Sequence, residues 1–467
     1  MLFSSSIFLF YFLPLLLLVY FCIPGIKLKN YTLLLFSLIF FIWGGAFFTL
    51  ILLLSIIFNF FTGKLIERSY SKISLGIAVG GNLLVLVIFK YANFLIDNLN
   101  VLFSSVHFDT IVPPGIILPI GISFYTFHSI SYNIDVFKKR SKAQGNILDM
   151  ALYIILFSQL VAGPIIRYNV FAPQLFGRTH TFEKFISGIE RFIIGLGKKV
   201  LIANTIGRLA DDAFSQDAHH MDLLFSWTGA LCYTFQIYFD FSGYSDMAIG
   251  LSRMFGFEFP ENFNLPYIAT SIKDFWKRWH ISLSSFFKDY LYIPLGGNQK
   301  GNKRTYLNLL IVFFLTGLWH GANYTFIVWG MIHGCFLLLE RTSFGSFLKK
   351  LPSVLKGVYT FFVVMMAWIP FRSSSMDYSW HYWKSLVVGK INLDLVSSYF
   401  TTDLIIAVVI AIFLSFNFNG FLSRIKINSG LQSMGDLTKA VFLLTILFFS
   451  AVYLMSGTYN PFIYYQF

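Results

Sequence analysis

Charge is what this sequence has least of. Asp, Glu, Lys and Arg make up 12% of its 467 residues, against about a quarter in soluble domains. So few charges cannot cover a soluble protein of this size. Negative charge is the scarcer sign, with 22 acidic residues against 35 basic ones and a net charge of +13. That excess does not indicate nucleic acid, because the basic residues lie in short loops between apolar runs, as cytoplasmic loops do. Cysteine is nearly absent. Cys22, Cys232 and Cys335 stand far apart, each inside an apolar run, so neither a disulfide framework nor a metal site is implied. Also missing are internal repeats, low-complexity tracts and any stretch that reads as a soluble domain. The opening MLFSSSIFLFYFLPLLLLVYF lacks the basic region of a cleaved signal peptide, and a retained first helix is expected there.

What the chain has in abundance is apolar surface: 56% of residues are hydrophobic and 19% aromatic. Many runs reach the roughly 20 residues that cross a bilayer. The expected fold class is all-α, a polytopic membrane bundle of about 11–13 segments. Spans are predicted near 6–24, 31–45, 46–63, 75–95, 117–136, 187–207, 223–250, 305–320, 322–340, 357–372, 402–418 and 437–456. One domain is expected over 1–467, with its core at about 118–341.

Basic loops mark the cytoplasm: Lys27 and Lys29, Lys64 to Lys72, Lys138 to Lys142, Lys349 to Lys356, and Arg424 with Lys426. Loops 96–112 and 209–222 are acidic and are expected outside, as is the N-terminus. Two stretches break this alternation. The run 147–166 contains Gly163-Pro164, and proline removes a donor that a helix needs; a re-entrant segment is expected, buried in protein or beside water. The stretch 251–304 carries Lys273, Lys277, Arg278, Lys288, Lys300, Lys303 and Arg304 against Asp274 and Asp289. Its many aromatics predict interfacial and partly re-entrant helices on the cytoplasmic side.

Two histidines stand out. His320 ends an apolar run that begins near Thr305, and a helix rising from the cytoplasm would carry it roughly 24 Å into the bilayer. Ionisable groups at such depth line cavities or serve function. Two readings stand: a neutral imidazole acting as general base on an attacking hydroxyl, or a core histidine bonded to a neighbouring helix. Asn323 or a nearby tyrosine is a candidate to orient the ring or hold an oxyanion. His280 follows Lys277-Arg278-Trp279 and precedes Ser282. That segment reads either as an interfacial anchor or as a site where Lys277, Arg278 and their neighbours attract donor phosphates. Lys90, His128, Asn133, Asp135, Asp240, Ser242, Tyr244, Asp246 and His333 are expected as inter-helix hydrogen-bond partners. His107, His180, His219, His220 and His381 read as loop residues without a role.

The order of motifs resembles the membrane-bound O-acyltransferase superfamily, and within it the alginate O-acetylation branch. The matching pieces are Phe89–Phe94, Leu118–Phe127, Val161–Pro164, Phe239–Ala248, Pro260–Asn264, Asp274–Ser284, Tyr290–Gly297, Gly317–Asn323, Ile369–Arg372 and Pro461–Tyr465. The resemblance implies catalytic roles for His320 and His280, and donor or substrate binding by Lys277, Arg278, Trp279, Ser282 and Asn323. It implies an enzyme without a bound cofactor or metal. The donor would be a cytoplasmic thioester, acetyl-CoA or an acylated carrier protein. The acetyl group would pass outward, with an extracytoplasmic partner acyltransferase, onto a cell-surface or secreted polysaccharide (an exopolysaccharide of the alginate kind). The location implied is the inner, cytoplasmic membrane, among lipids. Two alternatives remain: a D-alanyl transfer protein of teichoic acid modification, and a polytopic transporter, against which the lack of repeated halves counts.

Overall fold

The computed structural model describes residues 2–160, 163–217, 221–416, 432–457, 459–461 and 463. Val161 and Ala162, His219 and His220, Arg424 and Lys426, and Phe462, Tyr464 and Tyr465 lie outside them. Among the described residues the regular structure is helical, with no strand. Helices α1 to α5 span Leu13–Cys22, Ile26–Gly44, Ala46–Ser69, Lys72–Ser105 and Ile122–Phe137. They are followed by α6 (Ile147–Ile155), α7 (Phe157–Leu160), α8 (Tyr168–Phe171), α9 (Gln174–Gly177), α10 (Phe182–Gly197), α11 (Asn204–Phe214) and α12 (Leu223–Met254). The rest are α13 (Ile272–Arg278), α14 (Ile281–Phe287), α15 (Gly301–His320), α16 (Tyr324–Leu339), α17 (Ser343–Lys350), α18 (Ser353–Arg372), α19 (Met376–Ser385), α20 (Leu393–Tyr399), α21 (Thr402–Ser415) and α22 (Gln432–Met455).

Among the described residues five helices are long and apolar enough to cross a membrane: α2, α3, α4, α18 and α22. The pair α20 and α21, bent by 83°, makes a sixth if it is one span. Large apolar side chains such as Leu84 and Phe448 are exposed on them, as expected of a surface facing lipid. The protein is therefore a multi-pass membrane protein.

Where the helices break, the sequence explains the break. The run predicted from 117 stays without helix until Gly121 and coils only over Ile122–Phe137. Pro113, Pro114, Gly115 and Pro119 precede it, and consecutive prolines deny the chain its amide donors. The expected interruption of 147–166 appears as two short helices, α6 and α7, meeting at Leu156. The basic stretch 251–304 holds only short helices before α15 begins. One histidine differs from expectation. His381 sits inside α19, because Ser375 caps that helix by accepting from the Tyr378 N–H at 3.1 Å.

The backbone divides into two compact units, residues 1–187 with 251–260, and residues 188–250 with 261–467. The first unit is tied by buried amides. Asn59 of α3 and Asn82 of α4 exchange hydrogen bonds of 3.0 and 2.8 Å, and Asn133 of α5 donates to Asn59 Oδ1 at 2.6 Å. Lys90 donates to Ser123 at 3.5 Å, and His128 Nε2 accepts from the Ile166 N–H at 3.4 Å. These are the inter-helix bonds expected of polar groups in a bundle.

The second unit is tied by glycines and ion pairs. A side chain on Gly195 of α10 would strike the Gly243 carbonyl of α12, and one on Gly250 would strike the Gly188 carbonyl. Spaced two helical turns apart on each helix, these glycines let the backbones touch. Around them Asp246 takes Arg191 at 2.9 Å and Lys198 at 2.7 Å, while Lys199 pairs with Asp240 at 2.6 Å. The chain returns late to this last pair. The Ile463 N–H donates to Asp240 Oδ2 at 3.0 Å, Asn204 donates to Asn460 at 3.1 Å, and Lys199 also reaches the Pro461 carbonyl.

Candidate active site

Every residue of the candidate site lies in the second unit. His320 closes α15, and the chain leaves the helix at Gly321 in an extended conformation. The imidazole is 4% exposed. It sits in an aromatic box, its ring centre 4.8 Å from Trp319, 4.8 Å from Trp329 and 5.2 Å from Phe371. Close packing of α15 on α16 builds that box. A side chain on Gly317 would overlap the Phe326 carbonyl, and one on Gly330 the Phe313 carbonyl, so only glycine permits this approach.

His280 is reached along a different path. Ser271 caps α13 by accepting from the Asp274 N–H at 3.0 Å, and the Glu340 carboxylate accepts from Ile272 N–H at 2.6 Å and Lys273 N–H at 3.2 Å. A carboxylate at a helix N-terminus satisfies amides that have no partner within the helix. After α13, Trp279 is buried and stacks on Phe275 at 5.6 Å. His280 then turns left-handed, with φ +43° and ψ +56°, before α14 begins. Non-glycine residues rarely hold that conformation.

The turn is held by the segment 262–264, which is laced to 278–282. Asn264 N–H donates to the Arg278 carbonyl at 2.9 Å, and Ile281 N–H donates to the Asn262 carbonyl at 2.9 Å. Asn262 Oδ1 accepts from Ser282 N–H at 3.2 Å and Ser282 Oγ at 2.8 Å, and lies 3.2 Å from His280 Nδ1. The His280 ring is fully buried, standing edge-on to Phe241 at 4.7 Å and 6.3 Å from Trp319. Burial pushes its imidazole down to about 3, so the ring is neutral at physiological pH. Trp319 thus neighbours both histidines.

A cavity of about 1060 Å³, lined by neither histidine, lies against Trp276, Ile281 and Thr316. Lys273, Lys277, Lys288, Arg341, Lys349 and Lys356 line it, with Glu340 the one acidic lining residue. Its inner wall includes Trp276, Phe313 and Thr316. Trp276 stands 5.8 Å from Trp329, which in turn packs on His320. A basic chamber therefore backs onto the aromatic box, and its field suits a phosphorylated ligand.

The predicted residues divide. His280 and His320 both pack on Trp319, Ser282 joins His280 at Asn262, Trp279 packs instead on Phe275 and Trp368, and Lys277 is exposed at the cavity. Arg278 is held elsewhere, donating to Asp274 at 3.1 Å and to the Asn264 carbonyl at 3.3 Å. Asn323 caps α16, accepting from Thr325 N–H at 3.1 Å and donating to the Ser374 carbonyl at 3.2 Å. Residues that the sequence reading did not single out are Asn262, Trp276, Trp329 and Phe371. Asn262 had a signal, a lone amide between Pro260-Glu261 and Phe263. Among the described residues no group of three or more His, Cys, Asp or Glu is placed to hold a metal ion.

Helices that can cross a membrane, a buried histidine pair and a basic chamber define a membrane-embedded group-transfer enzyme. Residues 39–376 match the MBOAT, membrane-bound O-acyltransferase family. The chain belongs to that family and is an O-acyltransferase. Among its relatives, a probable alginate O-acetylase AlgI of Pseudomonas aeruginosa is 45% identical over 394 residues, 83% of this chain and 75% of the relative. A peptidoglycan O-acetyltransferase of Helicobacter pylori is 36% identical over 416 residues, 81% of this chain and 78% of the relative. A teichoic acid D-alanyltransferase of Bacillus subtilis is 30% identical over 258 residues, 52% of this chain and 64% of the relative.

Proposed function

We propose that this protein takes an acetyl group from a thioester on the cytoplasmic side of the inner membrane and sends it outward for O-acetylation of a cell-surface or secreted polysaccharide. The observation that carries the reading is the burial of His320 in its aromatic box, which Trp329 and Trp276 separate from the basic chamber. The donor, acetyl-CoA or an acylated carrier protein, lays its phosphates against Lys277 and its neighbours. An acceptor hydroxyl attacks the thioester carbonyl: the C–O bond forms, the C–S bond breaks, and His320 takes the hydroxyl proton and returns it to the departing thiolate. His280, also beside Trp319, serves the same step. An extracytoplasmic partner acyltransferase then carries the group to the polymer. The whole chain, 1–467, acts as one domain with its core at about 118–341.

Support for acetyl rather than D-alanyl transfer comes from the higher identity and wider coverage of the O-acetylating relatives. The test is the ester content of the polymer in cells carrying His320→Gln, an amide that keeps a hydrogen bond but takes no proton. Ester should fall to background while the protein stays in the membrane. Wild-type ester would rule out His320 as the base. Orientation has its own test. A cysteine placed at Arg140, with Cys22, Cys232 and Cys335 replaced, should resist impermeant reagents added outside intact cells, and labelling there would overturn the cytoplasmic assignment.

A further inference from the structure

A neutral imidazole carries one proton on two nitrogens, and only the other nitrogen is basic. At His280 the surroundings decide which. The Asn262 side-chain atom that faces His280 Nδ1 at 3.2 Å also faces the Ser282 backbone N–H at 3.2 Å. A backbone N–H only donates, so that atom is the amide oxygen; flipping the carboxamide would set two donors against each other. An oxygen opposite Nδ1 requires the hydrogen to sit on Nδ1. The lone pair then belongs to Nε2. We propose that Asn262 is a positioning residue of the transfer reaction: it fixes His280 as the Nδ1–H tautomer and makes Nε2 the basic nitrogen. The proposal rests on the reading above that His280 takes part in acyl transfer.

The same residue holds the backbone that aims the ring. His280 sits at φ +43°, a strained choice for a side chain with a Cβ. The Asn262 carbonyl, accepting from Ile281 N–H at 2.9 Å, pins the turn from the following residue. Asn262 is itself anchored through its neighbour. Glu261 receives Arg191 at 2.7 Å, and Arg191 reaches Asp246 of α12 at 2.9 Å. An ion pair between α10 and α12 thus reaches the imidazole through two consecutive residues of one loop.

The experiment uses the full-length protein in lipid nanodiscs with 15N-labelled histidine, the His280 signals being identified by their loss in His280→Gln. Wild type and Asn262→Asp, which keeps acceptor oxygens in place, should both show a protonated Nδ1 and a bare Nε2. Asn262→Leu should lose this preference and transfer acetyl groups about 10- to 100-fold more slowly, the loss seen when ring-orienting partners of metal-ligating histidines are removed. Asn262→Asp should restore most of the rate. A bare Nδ1 in wild type would overturn the assignment. So would an Asn262→Leu protein that keeps the wild-type tautomer, whatever its rate. Full activity of His280→Gln would sink the underlying reading of His280, and the tautomer signal would remain an independent result.

Discussion

His280 and His320 neighbour one indole, yet the fold holds them in opposite ways. His280 is set by hydrogen bonds: Asn262 and Ser282 fix its Nδ1 side, and a laced loop holds its backbone left-handed. His320 is set by shape, at a helix end inside Trp319, Trp329 and Phe371, with glycines bringing the helices together behind it. Hydrogen bonds choose a tautomer. On the proposed reading, His320 moves the proton and His280 holds a fixed orientation.

The sharpest way to break this comparison is to substitute both histidines alike. His320→Gln should reduce transfer by about 10²–10⁴, the usual worth of general-base assistance. His280→Gln should fall less, because glutamine keeps a polar group at a position that needs no proton exchange. A measured order the other way round would exchange the two roles. Next in size is the box itself. Trp329→Ala removes a fully buried ring and should destabilise the protein by about 3–5 kcal/mol, read as lost protein in the membrane and a lower melting temperature in detergent. Normal abundance with normal activity would mean that the box does not hold His320.

Lys277→Glu reverses one charge at the mouth of the cavity. It should raise the donor KM several-fold and leave kcat nearly unchanged, with the effect fading as salt rises. An effect on the acceptor alone would place the donor elsewhere. The smallest change is Ser282→Ala, which takes one of the three contacts from Asn262 Oδ1. It should cost about 1 kcal/mol, visible as a small drop in melting temperature with transfer retained. A loss as deep as that of His320→Gln would mean that Ser282 itself touches the substrate.

Much of this was legible in the sequence, for reasons of period and punctuation. Long apolar runs became α2, α3, α4, α18 and α22, since a membrane fixes both length and composition. Gly163-Pro164 pointed to a broken segment, although the break between α6 and α7 falls earlier, at Leu156. His320 stood at the end of its helix, as its place after an apolar run suggested. Arg278 shows where the reading stopped short: Asp274 lies four residues earlier, the spacing of an ion pair along a helix, and the guanidinium is held there rather than at the cavity. Asn323 was similarly readable as a helix cap. Asn262 was not readable as the partner of His280, because a contact across 18 residues and a left-handed turn depends on tertiary structure that no local pattern encodes.

The return of Asn460, Pro461 and Ile463 to the neighbourhood of the buried Lys199–Asp240 pair has a consequence in time. A ribosome making this chain releases Lys199 and Asp240 into the membrane long before it reaches Ile463, so the pair waits half-covered through nearly half of synthesis. Assembly of the second unit therefore finishes only after those late residues emerge, and nascent chains stalled before them would present an open charged seam to the quality-control machinery of the membrane.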